Sequence, residues 1–125
     1  MARERILIFE DDQFLTRVLI DALTTHGYEV ESRDSVFGAA ALVRDLHPAA
    51  VLLDLGLPFR PGSSLLTELK ADPDTADVPV LVMSGMTEAL TEERRAMAAA
   101  ILAKPFRIAD LLDAIRTACA SERRN

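Results

Sequence analysis

The feature that most constrains this chain is an alternation. Short apolar runs at 5–9 (RILIF), 50–53 (AVLL), 78–83 (VPVLVM) and 100–103 (AILA), with a weaker one at 29–32, are separated by longer stretches whose apolar residues recur at i, i+3 and i+4. The runs at 5–9, 50–53 and 78–83 are apolar throughout, which is the pattern of strands covered on both faces of a parallel sheet. Helical spacing between successive strands supplies the covering layers, so the sequence predicts a doubly wound α/β fold.

The helices are legible one by one. Phe14, Leu15, Val18, Leu19, Ala22 and Leu23 share one face of a first helix that Gly27 is placed to end. Ser35 is placed to N-cap a second, with Phe37, Ala40, Val43 and Leu46 as its stripe and Pro48 as its stop. A third runs from about residue 63 to 70 and turns Leu65, Leu66 and Leu69 inward. The fourth, near 91–98, is marked mainly by alanine, which gives helix propensity without defining a face. The fifth, from 108 to about 120, buries Ile108, Leu111, Leu112, Ile115 and Cys119.

A chain of 125 residues is expected to form one domain, 1–125, large enough to bury a core without disulfide or metal staples. Its longest apolar run, 96–103, is far short of the ~20 residues a membrane span needs. The first residues hold no apolar stretch of signal-peptide length, so a cytoplasmic location is expected. The single cysteine, Cys119, can build neither an internal disulfide nor a zinc site and reads as a core thiol. A net charge of −6 repels phosphate backbones, which argues against nucleic acid as a direct partner. His26 and His47 read as exposed residues near helix ends, and Met83, Met86 and Met97 as packing.

Open parallel sheets bind their ligands beyond the carboxyl ends of the strands, at the point where strand order reverses. Glu10-Asp11-Asp12 follows the first strand, Asp54 the third, Ser84-Gly85 the fourth and Lys104-Pro105 the fifth. Each has an ordinary explanation when taken singly. Asp12 can cap the first helix, Asp54 can open the turn Leu55-Gly56-Leu57-Pro58, and the other two pairs are common loop dipeptides. Their conjunction at one sheet edge is the informative part. Clustered carboxylates repel and rise in pKa unless a cation lies among them, and Mg²⁺ with two carboxylates, a backbone carbonyl and several waters resolves this. Such an ion keeps a coordination place for a phosphoryl oxygen. Lysine is also scarce here, since only Lys70 and Lys104 appear among 14 basic residues, and a compact ammonium is suited to such a site.

The segments ILIFEDDQFLTRVL, AVLLDLGLPFRPG, VLVMSG and ILAKPF span essentially the whole chain and together resemble the receiver domain of two-component response regulators. The resemblance implies a five-stranded parallel sheet with five helices in the flavodoxin-like order 2-1-3-4-5. It implies Mg²⁺ as cofactor, and a phosphoryl group passed to an aspartate by a histidine kinase or histidine phosphotransfer protein, with a downstream effector as further partner. Carried over by position, the acceptor is Asp54, the switch hydroxyl Ser84 and the phosphate-pairing lysine Lys104. The metal ligands are Glu10, Asp11, Asp54 and the carbonyl of Gly56. Self-phosphorylation and self-dephosphorylation are the only chemistry implied, so no turnover enzyme is expected.

The chain departs from the family pattern at several positions. Ile101 stands where an aromatic is usual, Met97-Ala98-Ala99-Ala100 replaces the usual stretch before it, and Pro61 precedes Gly62 where an acidic or small residue is common. Ile101 is expected to pack against the fourth helix whatever the state of Asp54, which leaves the strand-end loops and the first and fifth helices as the surfaces a partner reads. Among alternatives, a Mg²⁺-dependent aspartyl phosphatase would need a second aspartate where Gly56 stands. A nucleotide or flavin module would find its phosphate repelled by Glu10-Asp11-Asp12. The fifth helix ends close to the C-terminus, which favours a stand-alone protein over the N-terminal receiver of a larger regulator.

Overall fold

The computed structural model describes residues 3–57, 62–85 and 90–124, with side chains through residue 120. Strands and helices alternate without exception: β1 (Arg5–Phe9), α1 (Gln13–Thr25), β2 (Glu29–Arg33), α2 (Ala39–Leu46), β3 (Ala50–Asp54), α3 (Gly62–Ala71), β4 (Val80–Ser84), α4 (Glu92–Met97), β5 (Ala100–Ala103) and α5 (Ile108–Arg124). The sheet has five strands in the order β2-β1-β3-β4-β5, and every neighbouring pair is parallel. All five carboxyl ends therefore lie along one edge.

The period of two along each strand divides the apolar residues between two cores. Leu7, Phe9, Val51, Leu53, Val80 and Val82 face the layer of α2, α3 and α4, where Val43, Leu65 and Leu69 meet them. Ile6, Ile8, Leu52, Leu81 and Met83 face the opposite layer, against Leu19 and Leu23 of α1 and Leu111 and Ile115 of α5. β1, β3 and β4 are interior and buried on both faces, which accounts for their unbroken apolar runs. β2 is an edge strand and only half-buried, so its sequence signal is weak.

Three local expectations are corrected. Ser35 does not cap α2: the helix starts at Ala39 behind Gly38, whose left-handed φ of 69° turns the chain, and no side chain caps it. The Ser35 hydroxyl reaches only the Phe37 N–H, at 3.4 Å. Phe37 consequently leaves the stripe and is 96% exposed, while Val36 is buried in its place. Phe14, in the first turn of α1, is 79% exposed, and lines a cleft with Lys104 and Phe106 instead of joining the core. Ile101, in register with Val82, lies on the α2/α3/α4 face at the open edge of the sheet and is 38% exposed, while its neighbour Leu102 is buried in the α1/α5 core.

Smaller features follow the chemistry of their residues. Asp12 caps α1 by accepting the Leu15 N–H at 3.1 Å, and Gly27 ends the turn after it at a φ of 91°. β4 begins at Val80 rather than 78: Lys70 of α3 takes the carbonyls of Ala76 and Val78 at 3.0 and 2.6 Å, clipping that segment to the helix. α4 has a Thr91 cap and contributes no buried residue. It is moored by the packing of Leu90, Met97 and Ala98 and by a hydrogen bond from Arg94 Nε to Thr67 Oγ1 of α3 at 3.3 Å. Cys119 is buried and His26 and His47 are exposed, as expected; Met86, Pro58 and Pro61 lie outside the described residues.

Candidate functional site

Four strands deliver their ends to one place. Glu10 follows β1 directly, and its N–H donates to the Arg33 carbonyl of β2 at 3.0 Å, which extends the ladder by one residue. Asp54 is the last residue of β3 and stands in register with Met83 of β4. Ser84 is the last residue of β4, in register with Ala103, and the Lys104 N–H donates to the Ser84 carbonyl at 2.7 Å. The hydroxyl and the ammonium are thus carried on adjacent backbones joined by a hydrogen bond. Glu10, Asp54 and Ser84 are buried, whereas Asp11 is exposed.

Glu10, Asp11 and Asp54 each bring a carboxylate oxygen into one group whose members all lie within 4.8 Å of one another. Lys104 Nζ lies 2.7 Å from Glu10 Oε1 and 3.4 Å from Asp54 Oδ2. Further donors hold the acids in place. The Asp12 N–H donates to Glu10 Oε2 at 3.1 Å and the Gly56 N–H to Asp54 Oδ1 at 3.0 Å. The Ser84 hydroxyl donates to the Gly85 carbonyl at 2.9 Å.

The electrostatics show a site short of positive charge. Burial pushes the Glu10 carboxyl up to about 7, with the neighbouring Asp54 adding to the effect, against the opposing pull of Lys104 and the Asp12 N–H. Burial by itself would lower the Lys104 ammonium, but its hydrogen bond to Glu10 and the charges of Glu10 and Asp54 outweigh it and hold its pKa above the ordinary lysine value. One ammonium among three carboxylates leaves Glu10 prone to take a proton. A hard cation with oxygen ligands relieves the same repulsion, and the donor set of Glu10, Asp11 and Asp54 fits a Mg²⁺ ion.

All the acids singled out in the sequence therefore come together, with Lys104 among them, except that Asp12 turns to the helix cap. Sequence reasoning missed the pairing of Lys104 with Glu10. The two are separated by nearly the whole chain, and only the rarity of lysine hinted that Lys104 had a particular partner. Shallow clefts flank the group on either side of α1. One of about 600 Å³ is lined by Glu10, Arg17 and Arg33, and one of about 470 Å³ by Phe14, Lys104 and Phe106.

Comparison with known proteins agrees with this geometry. The family model described as the response regulator receiver domain matches residues 6–116. The chain is 34% identical to the transcriptional regulatory protein KdpE of Staphylococcus aureus (strain NCTC 8325 / PS 47), an alignment covering 91% of this chain and 49% of that protein. It is 29% identical to sporulation initiation phosphotransferase F of Bacillus subtilis (strain 168), covering 93% of this chain and 94% of that one. Among solved structures, the receiver domain of the sensor histidine kinase PA1611 from Pseudomonas aeruginosa PAO1, with a magnesium ion coordinated in its active site cleft, is similar with a TM-score of 0.82 and 27% identity. That match covers 95% of this chain and 99% of the other. The chain spans about half the length of the first curated relatives it matches.

Proposed function

The chain belongs to the response regulator receiver domain family, and on that footing we propose that Asp54 accepts a phosphoryl group from a histidine kinase or histidine phosphotransfer protein in the cytoplasm. Loading Asp54 then changes which effector the domain binds. Residues 1–125 are read as one receiver domain whose chemistry is confined to its own phosphorylation and dephosphorylation. The observation that carries this reading is the grouping of Glu10, Asp11 and Asp54 oxygens within 4.8 Å, with the Lys104 ammonium 3.4 Å from Asp54.

In the proposed reaction an Asp54 carboxylate oxygen attacks phosphorus, and the bond from phosphorus to the donor's imidazole nitrogen breaks, with its electron pair staying on that nitrogen. Glu10, Asp11, Asp54 and the Gly56 carbonyl would hold Mg²⁺, a role supported by the magnesium in the cleft of the PA1611 receiver domain. When bound, the ion supplies charge neutralisation for the transferring group. The remaining work belongs to side chains of this chain. The Gly56 N–H fixes one Asp54 oxygen. Lys104 exchanges Glu10 for a phosphoryl oxygen, and Ser84 turns its hydroxyl from the Gly85 carbonyl to another. The product carries roughly −1.5 to −2 charges where a single one stood before, which draws Ser84 and Lys104 toward Asp54.

The test is incubation with acetyl phosphate and Mg²⁺, read by intact mass. One phosphoryl group should add to the wild type and none to Asp54→Asn. Labelling that survives in Asp54→Asn would move the acceptor elsewhere and overturn the assignment.

A further inference from the structure

Gly62, the first residue of α3, lies against the backbone of the proposed acceptor. A Cβ built at this position would overlap the Asp54 carbonyl oxygen and come within 3.0 Å of Leu55 Cα and 3.1 Å of the Asp54 carbonyl carbon. Its φ is not in the left-handed region, so conformational freedom is not what calls for glycine here. Space is. The neighbour that would have to give way is backbone, held on its other side by the β4 ladder through the Leu55 N–H to Met83 carbonyl bond at 3.1 Å. On the α3 side the Gly62 N–H donates to the Leu55 carbonyl at 3.3 Å. The peptide following Asp54 is therefore clamped between β4 and the start of α3, with the absent side chain of residue 62 as the clearance.

From this contact we infer that Gly62 is a positioning residue for phosphoryl transfer, setting the location of the Asp54 carboxylate through the Asp54–Leu55 peptide. The inference rests on the phospho-acceptor reading above. Any side chain at 62 must push that peptide toward β4 or lift α3 off it. Either shift moves a carboxylate tuned to the Gly56 N–H at 3.0 Å and to Lys104 at 3.4 Å. In-line transfer is sensitive to such displacement: a misplacement of about 1 Å can cost on the order of a hundredfold in rate. Alanine also favours helix over glycine, so a purely structural role for this position would leave the folded variant fully active.

The experiment compares wild type, Gly62→Ala and Ser63→Ala in Mg²⁺ affinity by calorimetric titration and in phosphorylation rate from acetyl phosphate at saturating Mg²⁺. Thermal melting of the metal-free proteins is followed separately. Gly62→Ala should be folded, yet bind Mg²⁺ more weakly and be phosphorylated about tenfold or more slowly; Ser63→Ala should match wild type in both. A folded Gly62→Ala with wild-type rate and affinity overturns the inference and leaves the acceptor reading standing. A wild type that takes no phosphoryl group overturns both. Should Gly62→Ala not fold, the wild-type amide spectrum decides: adding beryllofluoride with Mg²⁺ should shift the Gly62 resonance more than that of Ser64, and an unmoved Gly62 overturns the inference.

Discussion

Lys104 is paired more closely with Glu10 than with Asp54, at 2.7 Å against 3.4 Å. The residue expected to meet a phosphoryl group is thus already engaged by a buried acid, Glu10, which is also a proposed metal ligand. Removing that lysine strands a buried carboxylate. Lys104→Met should destabilise the metal-free protein by about 1–3 kcal/mol at pH 8, where Glu10 is ionised. The loss should be smaller at pH 6, where Glu10 can take a proton. Urea denaturation at the two pH values checks the difference, and equal losses would contradict the pairing.

Glu10 also sets a pH dependence in the metal-free protein. Its folded pKa is raised to about 7 from 4.5, chiefly by burial. The folded state therefore binds more protons than the unfolded chain between those values. Stability contributed by this group is present at the acid end of the window and lost as pH rises through about 7. Glu10→Gln should remove this component, so that the stability difference between variant and wild type grows in favour of the variant from pH 5 to pH 8. Thermal melting in chelator across that range is the measurement.

Asp11 is the exposed member of the acidic group. Removing it relieves repulsion among the remaining carboxylates while deleting a proposed ligand. Asp11→Ala should melt higher than wild type without metal and gain less on addition of Mg²⁺. Equal stabilisation by Mg²⁺ in both proteins would falsify the metal assignment.

Neighbouring residues on β5 should respond very differently to truncation. Leu102 is buried in the α1/α5 core, and Leu102→Ala should cost about 2–5 kcal/mol. Ile101 is 38% exposed, and Ile101→Ala should stay within about 1 kcal/mol. Chemical denaturation of the two variants tests the assignment of faces along this strand.

The parts of the fold that were legible in the sequence are those where one physical signal dominates. β1, β3 and β4 declare themselves because interior strands must be apolar on both faces, and strand-end chemistry follows once their order is known. Asp54, Glu10, Asp11 and Lys104 could thus be brought to one edge from spacing and resemblance. Phe14 and Phe37 misled because helical periodicity says which face a residue occupies, not whether a layer lies beneath that end of the helix. Gly38, in its left-handed turn, moved the start of α2 past Phe37 and left Val36 inside. The exposure of Ile101 carried no such signal: it follows from the place of β5 at the sheet edge, where Ile101 stands in register with Val82 with no further strand beyond it. The clearance at Gly62 is a distance between segments, to which periodicity is blind.

Among the described residues, α4 is fastened by the Arg94 to Thr67 hydrogen bond and by the partly buried Met97, and none of its residues is fully buried. Re-seating this one segment therefore disturbs the sheet and the other helices chiefly where Leu90, Met97 and Ala98 pack against their core. Such an arrangement separates the cost of changing the outer surface from the cost of unfolding. In the proposed switch, a signal at Asp54 would work against that polar mooring and the packing of Leu90, Met97 and Ala98 rather than against the stability of the whole domain.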